Sequence, residues 1–267
     1  MFSDQLVTKT DLIRNLVHAG IKQSDTLLVH TSLSKIGYVP GAARSVIEAL
    51  LEAVGSDGTI MMPTYSGELS DPSLWKYPPV PDSWIQPILD ETPAYNPFLT
   101  PTRRMGVVAE LFRNYPNVIR SSHPQSSFAA TGRQAEFLVS EHPLNYRFGK
   151  KSPIGKLYDI DGRVLMLGAS PQTCSILYLS ESFMPDSEHM LRRSPITTKN
   201  EKTWAEYEDF VYSNDWFGEA FDDLISRGVI KKTTIGAATS YLSNAKQMID
   251  SVVAWRLKNK ALRLKPS

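Results

Sequence analysis

A histidine held between a proline and hydroxyl-rich neighbours has the clearest chemical potential in this sequence. His123 lies within residues 121–127, directly before the small apolar run 128–130. Pro124 fixes its own φ and pushes the residue before it toward extended geometry. The pattern therefore predicts that His123 lies on a short, restricted connection that enters a strand. An imidazole with an unperturbed pKa of about 6.5 could move a proton there near neutral pH. A histidine that only hydrogen-bonds the loop is the competing interpretation.

Acidic side chains further along the chain could orient that imidazole. A carboxylate that hydrogen-bonds one ring nitrogen fixes the tautomer and raises the basicity of the other. Glu181 follows an apolar strand pattern and is the first candidate, with Asp186 and Glu188 as nearby alternatives. A solvated Glu181 is the competing interpretation, because most acids on helices face water. The single cysteine, Cys174, is interpreted as a small buried side chain rather than a nucleophile.

Two segments have the composition of anion-binding sites. Residues 29–41 combine a strand end with a loop of hydroxyls, glycines and Lys35, and ligands of open α/β sheets bind beyond the carboxyl ends of strands. Arg103 and Arg104 precede a predicted helix, whose first N–H groups carry partial positive charge. Both segments suit a phosphate or pyrophosphate. An ordinary strand-to-helix loop is the competing interpretation of the first segment, which matches neither the P-loop nor the dinucleotide-binding pattern.

Alternating helices and continuous apolar strands must position these segments. The alternation predicts an α/β sheet covered by helices on both faces. Helices are predicted at residues 11–19, 42–54, 105–114, 175–183, 217–227 and 241–256, and strands at 26–30, 59–62, 128–130, 163–168, 205–213 and 230–235. Residues 64–102 are rich in proline and aromatic side chains and show little periodicity, so we expect a lid or pocket wall there.

Size and composition restrict the class of protein. The 267 residues are 42% hydrophobic, which suffices for one sizeable domain spanning residues 1–267. A formal net charge of +1 gives no sign of a nucleic-acid-binding face. One cysteine permits no intrachain disulfide and favours a reducing cytoplasm. We expect no signal peptide, no membrane-spanning segment and no structural zinc, because none of the corresponding sequence patterns occurs.

Taken together, the segments resemble the aminoglycoside 3-N-acetyltransferase family, also called the antibiotic N-acetyltransferase family. The matching pieces are collinear, and they comprise residues 28–34, 62–66, 93–97, 100–106, 120–130, 148–153 and 178–181. The resemblance implies a three-layer α/β sandwich of the antibiotic N-acetyltransferase type. That fold is distinct from the GNAT fold, whose acyl-CoA loop pattern is broken here by Val108.

The resemblance also implies a function. It implies acetyl transfer from acetyl-CoA to the amine of an amino sugar, with an aminoglycoside as the type of acceptor and without a metal, in a cytoplasmic protein compatible with a homodimer. His123 and Glu181 match the family's catalytic histidine and glutamate. The implied cofactor-binding residues are His30, Thr31, Ser32, Ser34, Lys35, Gly37, Tyr38, Arg103, Met105 and Gly106, and the implied substrate-binding residues are Tyr65, Asn96, Lys150 and Tyr178.

Three departures from the family pattern bear on the acceptor. Members usually carry aspartate where this chain has Asn96, acidic or glycine residues near Lys150 and Lys151, and commonly histidine where Tyr178 stands. An acidic pocket attracts polycations such as aminoglycosides, so these replacements weaken the attraction. A nucleotide-linked amino sugar for surface polysaccharide synthesis is therefore the alternative acceptor, unless the two lysines simply face solvent.

The expected mechanism is direct attack of the amine on the acetyl-CoA carbonyl in a ternary complex. His123 would take the proton, directly or through one water, while Glu181 orients and charges the ring. Two other classes stay open. One is a non-catalytic CoA- or sugar-binding homologue. The other is a hydrolase using Ser122 or Ser126, which the absence of a Gly-x-Ser-x-Gly motif disfavours.

Overall fold

Helices and strands alternate through residues 5–76 and 78–263, the part of the chain that a computed structural model describes. The helices are α1 (Lys9–Ala19), α2 (Leu33–Ile36), α3 (Ala42–Val54), α4 (Asp82–Glu91), α5 (Gly106–Arg113), α6 (Ala135–Val139), α7 (Pro153–Asp159), α8 (Phe217–Ser226) and α9 (Ala245–Arg263). The strands are β1 (Thr26–Thr31), β2 (Thr59–Pro63), β3 (Ile119–Arg120), β4 (Phe128–Gly132), β5 (Arg163–Leu167), β6 (His189–Thr198), β7 (Glu201–Phe210), β8 (Lys231–Ile235) and β9 (Ala238–Asn244). Short 3₁₀ turns occupy Gly67–Leu69, Pro72–Leu74, Pro171–Thr173 and Ser175–Phe183.

A mixed sheet of 7 strands in the order β3-β4-β2-β1-β5-β9-β8 forms the centre of the fold. β1 is parallel to both of its neighbours, and Leu28 lies opposite Met61 of β2 and Val164 of β5. The outer strands are antiparallel. The chain leaves β1 toward β2 on one side, whereas β5 lies on the other side. This reversal of strand order is where open α/β sheets bind their ligands.

Helices cover both faces of the sheet, so the predicted three-layer α/β sandwich is confirmed. Successive strand residues point to opposite faces. Leu27 and Val29 of β1 therefore pack in one core with α1, α3 and α5. Leu28 points the other way, into a second core with α6, α7, α8 and α9. The central strands contain continuous apolar runs because both of their faces are buried.

The boundaries of α1 show how local sequence positions an element. The Thr8 side chain accepts a hydrogen bond from the Asp11 N–H, and the Asp11 carboxylate in turn accepts one from the Thr8 N–H. This reciprocal pair begins the helix at Lys9, two residues before the predicted start at residue 11. Gly20 ends it with a φ of +110°, a left-handed conformation that glycine adopts without strain.

Several predicted elements differ from the structure. Residues 205–210 of the predicted strand 205–213 belong to β7, which pairs antiparallel with the unpredicted β6 in a hairpin that forms a separate two-stranded sheet. The predicted helix 241–256 begins only at Ala245, because β9 pairs with β5 and β8. The expected helix at 175–183 is a run of 3₁₀ turns. The segment 64–102 contains α4 and two 3₁₀ turns rather than a structureless loop.

Replacing Leu27 with Ala should lower the free energy of unfolding by about 2–5 kcal/mol, because the side chain is fully buried and its loss leaves a cavity. Val17→Ala is the matched control: this exposed valine should change stability by no more than about 0.5 kcal/mol. Unfolding in urea, monitored by tryptophan fluorescence, measures the free energy of unfolding of both variants. Equal effects of the two substitutions would contradict the assignment of Leu27 to the core.

Candidate functional site

A cavity of about 1070 Å³ opens at the carboxyl ends of β1 and β5. Its lining comes from the segments 29–42, 104–109 and 168–178, together with Pro63 and Tyr65. The strands β1 and β5 pair in parallel, so the loops that follow them leave from the same edge of the sheet. The cavity therefore occupies the position at which α/β sheets bind ligands.

The loop after β1 turns sharply to reach the cavity wall. Gly37 has a φ of +116°, and a Cβ at this position would lie 2.8 Å from the Gln5 carbonyl oxygen. Only glycine therefore fits here. The Tyr38 carbonyl accepts a hydrogen bond of 2.9 Å from the Val7 N–H, which fixes the loop to the N-terminal segment. Lys35 and Tyr38 are exposed at this wall.

The segment before α5 has the backbone geometry of an anion site. Arg104 has a φ of +59°, Met105 is in the right-handed helical region, and Gly106 has a φ of +83°. Successive residues of opposite hand point their N–H groups into one concavity, which favours anions. The positive end of α5 adds to this effect. A Cβ on Gly106 would meet nothing within 4 Å, so the backbone there faces open space.

His30 supplies the imidazole of the cavity. It lies on the same face of β1 as Leu28 and lines the cavity, where its Nε2 accepts a hydrogen bond of 3.4 Å from the Ser175 N–H. Burial lowers the pKa of His30 to about 4, so the ring is neutral at physiological pH. Burial raises the pKa of the Tyr178 phenol, which therefore stays protonated. Among the residues that line the cavity there is no aspartate or glutamate.

His123 is fully buried and is not among the residues that line this cavity. Its Nδ1 accepts hydrogen bonds of 3.2 Å from the N–H groups of Gln125 and Ser126, so that nitrogen carries no proton. Its Nε2 donates to the Leu144 carbonyl at 3.2 Å. Burial, followed by the neighbouring His142, lowers the pKa of His123 well below its ordinary value. The prediction of a restricted connection before a strand is confirmed, because β4 begins at Phe128.

Glu181 binds an arginine rather than the imidazole. Its carboxylate accepts hydrogen bonds from Arg256 at 2.7 Å and from the Ser187 hydroxyl at 2.9 Å. Arg256 also donates to the Ser180 hydroxyl, so this ion pair fastens α9 to the segment 175–183. The predicted hydrogen bond between Glu181 and His123 is therefore wrong: both side chains have other partners. The catalytic roles of His123 and Glu181 stay predictions, and the geometry disfavours them.

Most of the predicted cofactor-binding residues do line the cavity. Those that do are His30, Thr31, Ser32, Ser34, Lys35, Gly37, Tyr38, Met105 and Gly106. Arg103 is exposed and does not line it, whereas its neighbour Arg104 does. The two segments predicted from the sequence therefore both reach the cavity. Backbone geometry decides that Arg104, rather than the adjacent Arg103, lines it.

The predicted substrate-binding residues divide into two pairs. Tyr65 and Tyr178 line the cavity, and Tyr65 is the one described residue of the segment 64–102 that does so. Asn96 instead accepts hydrogen bonds from the Phe98 and Leu99 N–H groups, so it stabilises a turn. Lys150 is exposed, with its Nζ 4.6 Å from the centre of the Phe183 ring.

Cys174 behaves as interpreted from the sequence. It is fully buried, and burial raises the pKa of its thiol to about 12. The thiolate required for nucleophilic attack is therefore not populated at neutral pH.

Sequence reasoning missed a charged cluster beside the cavity, formed by Arg147, Arg192 and Asp209. Arg147 Nη1 and Arg192 Nε lie 3.1 Å and 3.0 Å from the same carboxylate oxygen of Asp209. Arg192 and Asp209 lie on β6 and β7, whose pairing was not predicted. The one available signal was an arginine flanked by the aromatic side chains Tyr146 and Phe148.

Comparison with known proteins agrees with the resemblance. A family described as aminoglycoside 3-N-acetyltransferase matches residues 28–256. The chain is 38% identical to the SPbeta prophage-derived aminoglycoside N(3')-acetyltransferase-like protein YokD of Bacillus subtilis, over 97% of this chain and 95% of that protein. The crystal structure of YokD superposes with a TM-score of 0.94 and covers 97% of this chain and 96% of its own.

Two further relatives carry names that bear on function. Aminoglycoside N(3)-acetyltransferase VII of Streptomyces paromomycinus is 33% identical over 95% of this chain and 92% of that protein. The structure of AAC-IIIb as a binary complex with CoASH has a TM-score of 0.85 at 28% identity and covers 95% of this chain and 97% of its own. Within the described residues, no helix is both long enough and apolar enough to cross a membrane.

Stability should fall as the pH drops below about 6.5, because buried histidines resist protonation in the folded state. Burial lowers the pKa of His30 to about 4 and that of His142 to about 3. Histidines of the unfolded chain have the ordinary pKa of about 6.5. At a pH below that value and above the lowered pKa values, the unfolded chain therefore binds more protons than the folded chain. Denaturant unfolding between about pH 7 and about pH 5 measures the slope, above the range in which ordinary carboxyls titrate.

The His142→Asn variant should show a smaller slope, since one buried histidine is gone. His18→Gln is the comparison variant, because it removes a histidine that is exposed rather than buried. A wild-type protein of constant stability over this range would contradict the buried, neutral state of these rings.

Replacing Glu181 with Gln should lower the free energy of unfolding by about 3 kcal/mol, because Arg256 would lose its buried partner. Glu188→Gln is the control at a nearby exposed acid. Chemical unfolding and steady-state kinetics of the same preparations separate the two possible roles. A Glu181→Gln protein of wild-type stability but with greatly reduced turnover would restore the catalytic assignment.

Proposed function

Because this chain belongs to the aminoglycoside 3-N-acetyltransferase family, a family of acyltransferases, we propose that it transfers the acetyl group of acetyl-CoA to the amine of an amino sugar. The observation that carries the proposal is one cavity that joins an anion-binding backbone segment at Arg104–Gly106 to the buried imidazole of His30. The backbone segment suits the phosphates of CoA, and the imidazole suits the reactive thioester at the other end of the donor.

The cofactor end supports acetyl-CoA as the donor. The concave backbone before α5 presents N–H groups, and the side chains of Lys35 and Arg104 add two positive charges at the cavity wall. This is the chemistry that binds a pyrophosphate. The relative AAC-IIIb, whose structure contains CoASH, shares the fold over nearly the whole chain.

The proposed reaction is direct attack in a ternary complex. The neutral amine attacks the thioester carbonyl, a C–N bond forms, and the C–S bond breaks. The amine loses one proton, and the departing thiolate gains one, so the products are an amide and the free CoA thiol. Holding both reactants in one cavity contributes up to about 7–11 kcal/mol in favourable cases.

His30 is the group we propose as proton acceptor. It is the imidazole among the cavity residues, and its Nε2 accepts one long hydrogen bond of 3.4 Å from the Ser175 N–H. His123 lies outside the cavity lining, and both of its nitrogens are hydrogen-bonded to the backbone. A neutral ring with its pKa lowered to about 4 is a weak base. The attacking nitrogen becomes more acidic as the C–N bond forms, which favours transfer of its proton to the ring at that stage. The absence of carboxylates from the cavity lining also favours the neutral amine over the ammonium ion.

Protein supplied with acetyl-CoA and an amino sugar should release the CoA thiol, which a thiol-reactive chromophore measures. His30→Gln should lower kcat by about 10²–10⁴-fold, because general-base assistance is lost. The affinity for CoA should change little. His18→Gln, on the exposed face of α1, should keep wild-type kinetics.

Two results would overturn parts of this proposal. No thiol release with any amine would refute the acetyltransferase function. Wild-type turnover of His30→Gln, together with loss of turnover in a folded His123→Asn variant, would return the role of base to His123.

A further inference from the structure

The charged cluster beside the cavity holds more positive than negative charge. Asp209 is fully buried: its Oδ1 accepts a hydrogen bond from the Arg147 backbone N–H, and its Oδ2 lies within ion-pair distance of both guanidinium groups but accepts no well-aligned hydrogen bond among the described residues. Two cations therefore share one anion. Arg147 Nε is buried and has no hydrogen-bond acceptor among the described residues. Such an excess of buried positive charge favours an additional anion.

The cluster adjoins the inner wall of the cavity. The Arg147 guanidinium carbon lies 5.2 Å from the centre of the Phe148 ring and 5.0 Å from that of Tyr212. Phe148 stacks on Tyr178, with ring centres 4.9 Å apart, and Tyr178 lines the cavity. The side chains of Arg147 and Arg192 are mostly buried, with 13% and 18% of their surface exposed.

Two buried histidines hold Arg147 in place. His142 Nε2 donates to the Arg147 carbonyl at 2.8 Å, and His123 Nε2 donates to the Leu144 carbonyl at 3.2 Å. The Gln125 side-chain oxygen accepts from Arg147 Nη1 at 3.3 Å. The two rings are neutral, since burial lowers the pKa of both, so they add no charge of their own. Their hydrogen bonds fix the segment that presents the guanidinium.

We propose that Arg147 and Arg192 bind a carboxylate or phosphate group of the acceptor, so that the acceptor is an amino sugar that carries an acid rather than a polycation. This inference rests on the proposed acetyl transfer. Arginine is well suited to the role, because its planar fork binds carboxylates and phosphates through paired hydrogen bonds. The cavity lining also contains no aspartate or glutamate that would attract a polycation.

Four acceptors test the proposal in the thiol-release assay: glucosamine, glucosamine 6-phosphate, 2-amino-2-deoxyglucuronic acid and the polycation sisomicin. The acid-bearing sugars should exceed glucosamine in kcat/KM by about tenfold or more, the usual scale of a charge-assisted hydrogen bond. The third acceptor distinguishes a carboxylate site from a phosphate site. Preference for sisomicin, or equal use of all four, would overturn the anion site while leaving the acetyl transfer intact.

Two variants test whether the preference for acid-bearing sugars depends on the arginine cluster. Arg147→Gln should remove the advantage of the acid-bearing sugars and leave the rate with glucosamine within about threefold. Gln125→Glu is the second variant: it keeps the arginine but places a carboxylate against it, and the Ser194 hydroxyl can donate to the new acid. It should abolish the same preference even if Arg147→Gln fails to fold. Variants that retain the preference, or that lose all acceptors equally, would refute the assignment.

A binding measurement separates failure of the two proposals. The thermal shift caused by glucosamine 6-phosphate, relative to glucosamine, is measured with CoA saturating so that the cofactor phosphates occupy their own site. One outcome is a thermal shift in the wild type that is absent in Gln125→Glu, with no release of thiol from acetyl-CoA by either protein. This outcome would support the anion site and refute the acetyl transfer. No shift and no turnover would refute both.

Discussion

The parallel pairing of β1 with β5 is the interaction on which the rest of the structure depends. Residues 27–31 lie opposite residues 163–167, so two chain segments more than a hundred residues apart end at the same edge of the sheet. The loop after β1 brings His30 and Lys35 to this edge, and the loop after β5 brings Ser175 and Tyr178. The cavity exists because these loops diverge around the point where strand order reverses.

Charge is distributed unevenly around that cavity. Its lining contains cations and hydroxyls but no acid, and the cluster of Arg147, Arg192 and Asp209 adds one unbalanced positive charge beside it. The two histidines nearest this cluster stay neutral because they are buried. They act through hydrogen bonds that hold the backbone of the arginine segment. The same burial that disfavours His123 as a base makes it a rigid support for Arg147.

Local sequence patterns were sufficient wherever an element is defined by its own residues. The helix α3 has the predicted bounds, because its apolar face and the flanking glycines specify it without reference to distant partners. The strands β1 and β5 were recognised because burial on both faces requires continuous apolar runs. Nine of the ten predicted cofactor-binding residues line the cavity, since a hydroxyl- and glycine-rich loop after a parallel strand has few other positions to occupy.

The sequence by itself therefore determined the three-layer class, the position of the loops that line the cavity and the family resemblance. Only the tertiary structure decided which charged groups meet. Glu181 binds Arg256 of α9, His123 binds the backbone of residue 144, and Arg192 meets Arg147 through the hairpin of β6 and β7. The physical reason is the sequence separation of the interacting residues. Helical and strand periodicity indicates which side chains are buried, whereas a hydrogen bond between residues far apart in the chain depends on how whole elements pack.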